Sequence, residues 1–148
     1  RLPLWVKLSP NVTHIGEMAR VAEGEGADAI SAINTLKALD VDPETRRPSL
    51  ANGYGGLSGP AIRPVALRMV RECARAVAIP VCGMGGISTA SDALQFLLCG
   101  ARAIQVGTAN YLDPQAAETV LEGIQAYCRR HGVARVEDLV GALEWVEG

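Results

Sequence analysis

Apolar and polar positions along the chain alternate between two periods. Four short, nearly continuous apolar runs occupy residues 4–8, 27–34, 79–83 and 103–107, and they read as strands buried on both faces. Each is followed by a stretch of helical period. Ile15, Met18, Ala19 and Ala22 form the first stripe. Ile62, Val65, Met69, Val70, Cys73 and Val77 form the second. Ala90, Ala93, Leu94, Leu97 and Leu98 make the third, and Ala117, Val120, Leu121, Ile124 and Cys128 the fourth. Gly26, Gly100 and Gly132 stand where helices should stop, since glycine tolerates the left-handed conformation of a C-terminal cap. Pro60 and Pro114 are expected in first helical turns. Ser88 or Thr89 is expected to cap the third helix, with Asp92 in its first turn.

Four β-α units in succession imply an α/β fold with a parallel sheet, either a small doubly wound sheet or part of a (β/α)8 barrel. Two features favour the barrel. Glycine-rich turns follow the last two strands, Gly83-Met84-Gly85-Gly86 and Gly107-Thr108, where barrels commonly hold phosphate. Four units in 148 residues also match half of a barrel of roughly 250 residues. Together they point to about half of a (β/α)8 barrel, built from four parallel β-α units. One connection, residues 35–58, shows no clear period and reads as a long functional loop. Its glycine-dense end, from Ala51 to Pro60, would let backbone N–H groups approach a ligand.

Composition narrows the function classes. Apolar residues make up 49%, enough for a packed core, and the net charge of −2 leaves no basic footprint for nucleic acid. No apolar run approaches the length of a membrane span. The four cysteines, Cys73, Cys82, Cys99 and Cys128, fall in no zinc or iron–sulfur spacing; they read as reduced thiols of a cytoplasmic protein and not as metal ligands. His14 and His131 have no partner pattern and read as helix-end residues.

Three places carry candidate chemistry. Lys7 sits inside an apolar strand, so it either aims its charge at a bound anion or electron-rich ring, or snorkels from the rim to water. Asn34 and Thr35 end the second strand, where an amide and a hydroxyl can read the edge of a polar heterocycle or simply form a turn. Gly85-Gly86 and Gly107-Thr108 together suggest a phosphate cradle, against the alternative of plain tight turns.

These residues resemble a known family. Val6-Lys7-Leu8-Ser9-Pro10-Asn11, Ala32-Ile33-Asn34-Thr35-Leu36, the run from Gly55 to Pro64, Gly83-Met84-Gly85-Gly86-Ile87 and the run from Gln105 to Asn110 are similar to the dihydroorotate dehydrogenases, in order along the whole chain. The run from Gln105 to Asn110 and the segment from Asp42 to Arg47 resemble the NAD-linked class 1B most. The resemblance implies FMN-dependent oxidation of dihydroorotate to orotate in de novo pyrimidine (UMP) biosynthesis, with electrons passed to NAD. It implies FMN contacts from Lys7, Ile33, Gly59, Gly85, Gly86, Gly107 and Thr108, and orotate contacts from Asn34 and Thr35. The family's catalytic base, a cysteine in class 1, belongs to the first half of the barrel, and none of the four cysteines here lies in that motif. The resemblance therefore implies a partial chain, the C-terminal half of a (β/α)8 barrel over residues 1–148 with the N-terminal half missing, which carries no catalytic base and is expected to be inactive alone. The resemblance also implies a partner electron-transfer subunit with FAD and a [2Fe–2S] cluster, and a full-length protein that forms a homo-oligomer. The competing readings are a flavin barrel of the dihydropyrimidine dehydrogenase type, a non-catalytic half-barrel that binds phosphate, and a non-redox barrel acting on phosphosugars.

Overall fold

The computed structural model describes residues 1–145. In chain order the elements are β1 (Trp5–Leu8), α1 (Ile15–Gly24), β2 (Ala29–Ala32), β3 (Leu36–Leu39), β4 (Val41–Asp42), β5 (Arg47–Pro48) and β6 (Tyr54–Leu57). A 3-10 turn (Pro60–Ile62) follows, then α2 (Arg63–Ala76), β7 (Val81–Met84), α3 (Ala90–Leu98), β8 (Ala103–Gln105), the short α4 (Ala109–Leu112), α5 (Ala116–His131) and a 3-10 turn (Val136–Leu139).

The four apolar runs form one parallel sheet in the order β1-β2-β7-β8. The register aligns Lys7 with Ser31 in β2, Ser31 with Cys82 in β7, and Cys82 with Ala103 in β8. The order is sequential, with no reversal of the kind that marks a doubly wound sheet. The helices pack into one hydrophobic cluster with the strands. It draws Ile15 and Ala19 from α1, Ala66, Met69, Val70 and Cys73 from α2, Ala93 and Phe96 from α3, Val120 from α5, and Ile30 and Val81 from the sheet. The arrangement is half of a (β/α)8 barrel.

Phe96, fully buried, is the largest side chain of this core. It explains the glycine inside β7: a Cβ on Gly83 would lie 2.6 Å from Phe96 Cδ1. The helix stops fall where glycine was expected. After α1, the Gly26 N–H donates to Glu23 O and the Ala27 N–H to Ala22 O; after α3, Gly100 and Ala101 repeat the pattern onto Leu97 and Phe96. Gly132 closes α5 in the left-handed region.

Several expectations are corrected. Residues 35–58 are not a structureless loop but two nested antiparallel ribbons, β3 with β6 and β4 with β5. Their pairing hid from periodicity because Gly55 and Gly56 stand opposite Ala38 and Lys37, so half of one strand has no side chains to alternate. Pro114 precedes Gln115, the residue that caps α5, and so lies outside the first turn. The strands are shorter than the apolar runs; Ile33 and Asn34 lie beyond β2, and Val106 and Gly107 beyond β8. Lys7 is exposed rather than buried, because β1 is an edge of this sheet and its inner side chains, Trp5 and Lys7, face open space.

Candidate functional site

The C-terminal ends of the parallel strands open onto a cleft of about 180 Å³. All nine residues that the family resemblance assigns to cofactor or substrate line it, whereas of the glycine-dense run 51–60 only Ser58, Gly59 and Pro60 do. Lys7 comes from β1, Ile33, Asn34 and Thr35 from the end of β2, and Gly59 from the turn before α2. Gly85 and Gly86 come from the turn after β7, and Gly107 and Thr108 from the turn after β8.

The β2 end is held on both sides. The Ile33 N–H donates to Met84 O at 3.1 Å, and the Asn34 N–H to Leu8 O at 2.9 Å. Asn34 Oδ1 accepts from the N–H of Thr35 at 2.9 Å, so the side-chain oxygen is engaged locally and the amide Nδ2 is what the cleft is offered. Thr35 packs flat on β6: a Cβ on Gly56 would meet its Oγ1 at 2.3 Å. Ile33, Ile62 and Ile87 are buried and give the cleft an apolar lining.

At the far side the turns after β7 and β8 run side by side. Gly59 (φ 81°), Gly85 (φ 123°) and Gly86 (φ 76°) adopt backbone conformations that favour glycine. The Gly86 position is also crowded, since a Cβ there would lie 2.7 Å from Gly59 O. The backbone N–H groups of Gly86, Ile87, Gly107 and Thr108 have no acceptor among the described residues. Four such donors on adjoining turns suit an anion. The apolar lining, the free donors and the lysine on the opposite strand together suit a ligand that joins an apolar ring system to an anionic group.

Sequence reading missed four contributors. Asn11 ties two site loops together: its Nδ2 donates to Thr35 O at 3.3 Å and its Oδ1 accepts from the Lys37 N–H at 2.9 Å. Ser58 Oγ accepts from Thr108 Oγ1 at 3.0 Å, joining the β6 end to the turn after β8. Buried Ser31 donates to Gln105 Oε1 at 3.2 Å on the sheet's inner face. Asn11 and Ser58 lie inside recognisable motifs, but nothing in a lone sequence separates a residue that braces a loop from one that touches a ligand.

The cysteines are poor candidates for chemistry. Burial, with Glu72 alongside, pushes the Cys73 thiol up to about 12, and burial pushes Cys82 to about 11. Both are protonated and unreactive at neutral pH. Among the described residues no group of His, Cys, Asp and Glu could hold a metal ion, and no helix is long and apolar enough to cross a membrane.

A family model described as dihydroorotate dehydrogenase matches residues 1–128. A protein of Geotalea uraniireducens named dihydroorotate dehydrogenase B (NAD(+)), catalytic subunit, is 60% identical over 95% of this chain and 46% of its own length. One of the same name from Porphyromonas gingivalis is 56% identical over 95% of this chain and 46% of its length. The chain thus spans about half the length of the curated relatives it matches. Among solved structures, DHODH from Eimeria tenella in complex with ferulenol superposes with a TM-score of 0.79 at 27% identity, over 96% of this chain and 38% of that one. On this evidence the chain belongs to the dihydroorotate dehydrogenase family.

Proposed function

We propose that this chain supplies the C-terminal four β-α units of an FMN-dependent dihydroorotate dehydrogenase that oxidises dihydroorotate to orotate in de novo pyrimidine biosynthesis and passes the electrons to NAD. The observation that carries this reading is the convergence of all nine motif residues on one cleft, with free backbone donors at one end and a lysine at the other. FMN, when bound, supplies the two-electron acceptor for the dihydropyrimidine.

The chain's own residues do the rest. The N–H groups of Gly86, Ile87, Gly107 and Thr108 hold the phosphate. Ile33, Ile62 and Ile87 exclude water from one side of the ring. Lys7 places a positive charge where electron density accumulates, which lowers the barrier through preorganised electrostatics. Asn34 Nδ2 donates to a carbonyl of the pyrimidine, and Thr35 stands beside it. The cleft is smaller than the ~300–1,000 Å³ of a complete small-molecule pocket. In this reading the other barrel units supply the remaining wall and the cysteine base, and residues 1–148 alone do not turn over. The NAD linkage in the relatives' names favours a cytoplasmic assembly. In it a second subunit carries FAD and a [2Fe–2S] cluster, and the catalytic subunit is a homo-oligomer.

The test is anaerobic. The complete enzyme, loaded with FMN, is mixed with dihydroorotate or with dihydrouracil. Bleaching of the oxidised flavin by dihydroorotate and not by dihydrouracil is expected. No bleaching by dihydroorotate would refute the reading, and a preference for dihydrouracil would replace it with the dihydropyrimidine dehydrogenase type.

A further inference from the structure

Asp92 is one of only two buried polar residues among those described, at 5% exposure, and no part of the proposed chemistry uses it. It sits in the first turn of α3. Its Oδ2 accepts from the N–H of Ser88 at 3.0 Å and of Thr89 at 2.9 Å, and Thr89 Oγ1 accepts in return from the Asp92 N–H at 3.2 Å. That much is a capping box. The other oxygen, Oδ1, does something a cap does not require: it pairs with the guanidinium of Arg63, the first residue of α2.

Arg63 in turn lies against the cradle. A Cβ on Gly86 would meet Arg63 Cβ at 2.9 Å and Arg63 N at 3.1 Å, so the Gly86 backbone rests directly on the start of α2. One carboxylate therefore fastens two cleft-lining segments, the turn from Gly59 into α2 and the Gly85-to-Ser88 turn, to the start of α3. It also sorts the donors. The N–H groups of Ser88 and Thr89 are consumed by Asp92, so the α3 start is not available to an anion, and on that turn those of Gly85, Gly86 and Ile87 remain without an acceptor among the described residues.

We infer that the Arg63–Asp92 pair is a positioning device for phosphate recognition, which fixes the Gly86 and Ile87 N–H groups toward the phosphate of the bound flavin. The inference rests on the reading of the cleft as an FMN site. Asp92 needs both oxygens at once, one for the two N–H groups and one for Arg63. An amide has a single accepting oxygen and cannot satisfy both sides. Arg63 delivers a charge-assisted bond onto a buried acceptor, which a neutral glutamine cannot replace.

The experiment compares FMN with riboflavin, which shares the ring and lacks the phosphate. The complete holoenzyme is stripped of flavin, and both ligands are titrated by quenching of flavin fluorescence in the parent, Asp92→Asn, Arg63→Gln and Arg63→Lys. Asp92→Asn and Arg63→Gln are expected to weaken FMN about tenfold or more. Riboflavin affinity should hold within about twofold, and Arg63→Lys, which keeps the charge, should retain more FMN affinity than Arg63→Gln. Equal weakening of FMN and riboflavin would make the pair a structural brace only and would overturn the inference, as would no change in either. If Asp92→Asn does not fold, Arg63→Gln carries the same comparison. A parent that binds neither flavin would refute the FMN reading itself, and the inference with it. A parent that binds FMN tightly while the variants show no phosphate-selective loss would refute the inference alone.

Discussion

Gly86→Ala isolates the role of backbone conformation at the cradle. Two costs are legible in the structure. Gly86 has φ 76°, in the left-handed region, where an L-residue with a Cβ costs about 1–2 kcal/mol. The new Cβ would also lie 2.7 Å from Gly59 O and 2.9 Å from Arg63 Cβ. Neither neighbour is the end of a flexible side chain, so the turn before α2 must shift, and overpacking of this kind costs about 1–3 kcal/mol. The sum is about 2–5 kcal/mol. Gly107→Ala is the control: no atom lies within 4 Å of its added Cβ, its φ is not in the left-handed region, and its stability should stay within about 0.5 kcal/mol of the parent. Urea denaturation of the complete enzyme, with apo and FMN-loaded samples run side by side, measures both. Equal stabilities for Gly86→Ala and Gly107→Ala in the apo form would refute the argument, because they would mean that the Gly59–Gly86 packing does not constrain the turn.

Asn34→Ala should weaken orotate binding by about 1–3 kcal/mol with FMN content retained, since a carbonyl of the bound pyrimidine loses its donor; equal orotate titrations for variant and parent would take Asn34 out of the site. Cys73 and Cys82 are held protonated by burial, whereas an unfolded cysteine ionises near 9. A group whose folded value is raised stabilises the fold fully below its unfolded value, so stability should fall as pH rises from about 9, toward about 12 for Cys73 and about 11 for Cys82, by up to ~1.4 kcal/mol per pH unit for each thiol. Urea midpoints measured from about pH 8 to about pH 10.5 check the slope, which Cys73→Ala should reduce. A polypeptide of residues 1–148 alone should self-associate, because β1 and β8 each pair on one side only and Trp5 on the inner face of β1 is half exposed. Sedimentation velocity showing a clean monomer would contradict this.

The fold was largely legible because its signals are local. A β-α unit writes its own period into the sequence, and Gly26, Gly100 and Gly132 mark helix ends through a backbone requirement that no other residue meets as well. The ribbons β3–β6 and β4–β5 were not legible. Strand pairing at Gly55 and Gly56 leaves no side-chain alternation to read, and Asp42, which closes the inner ribbon through the N–H of Glu44 and the hydroxyl of Thr45, looks like any loop aspartate. The site residues were legible as motifs, and the structure brings all of them to one cleft. Their supports were not. Asn11, Ser58 and Asp92 act across 24 to 50 residues of chain, and such pairings exist only once the fold has brought the partners together. Lys7 shows the opposite limit: its strand context predicts burial, yet the edge position of β1 leaves it exposed.

The central claim is that the charge on Lys7 serves a flavin bound across this cleft, and the rate of flavin reduction tests it most directly. The complete enzyme and its Lys7→Ala variant, matched for FMN content, are mixed anaerobically with dihydroorotate in a stopped-flow spectrometer. The account predicts that Lys7→Ala reduces its flavin at least about tenfold more slowly than the parent, with the fold intact by circular dichroism, because one charged donor is lost where electron density builds. Equal reduction rates in variant and parent would make Lys7 a solvent-facing rim lysine and would contradict the account.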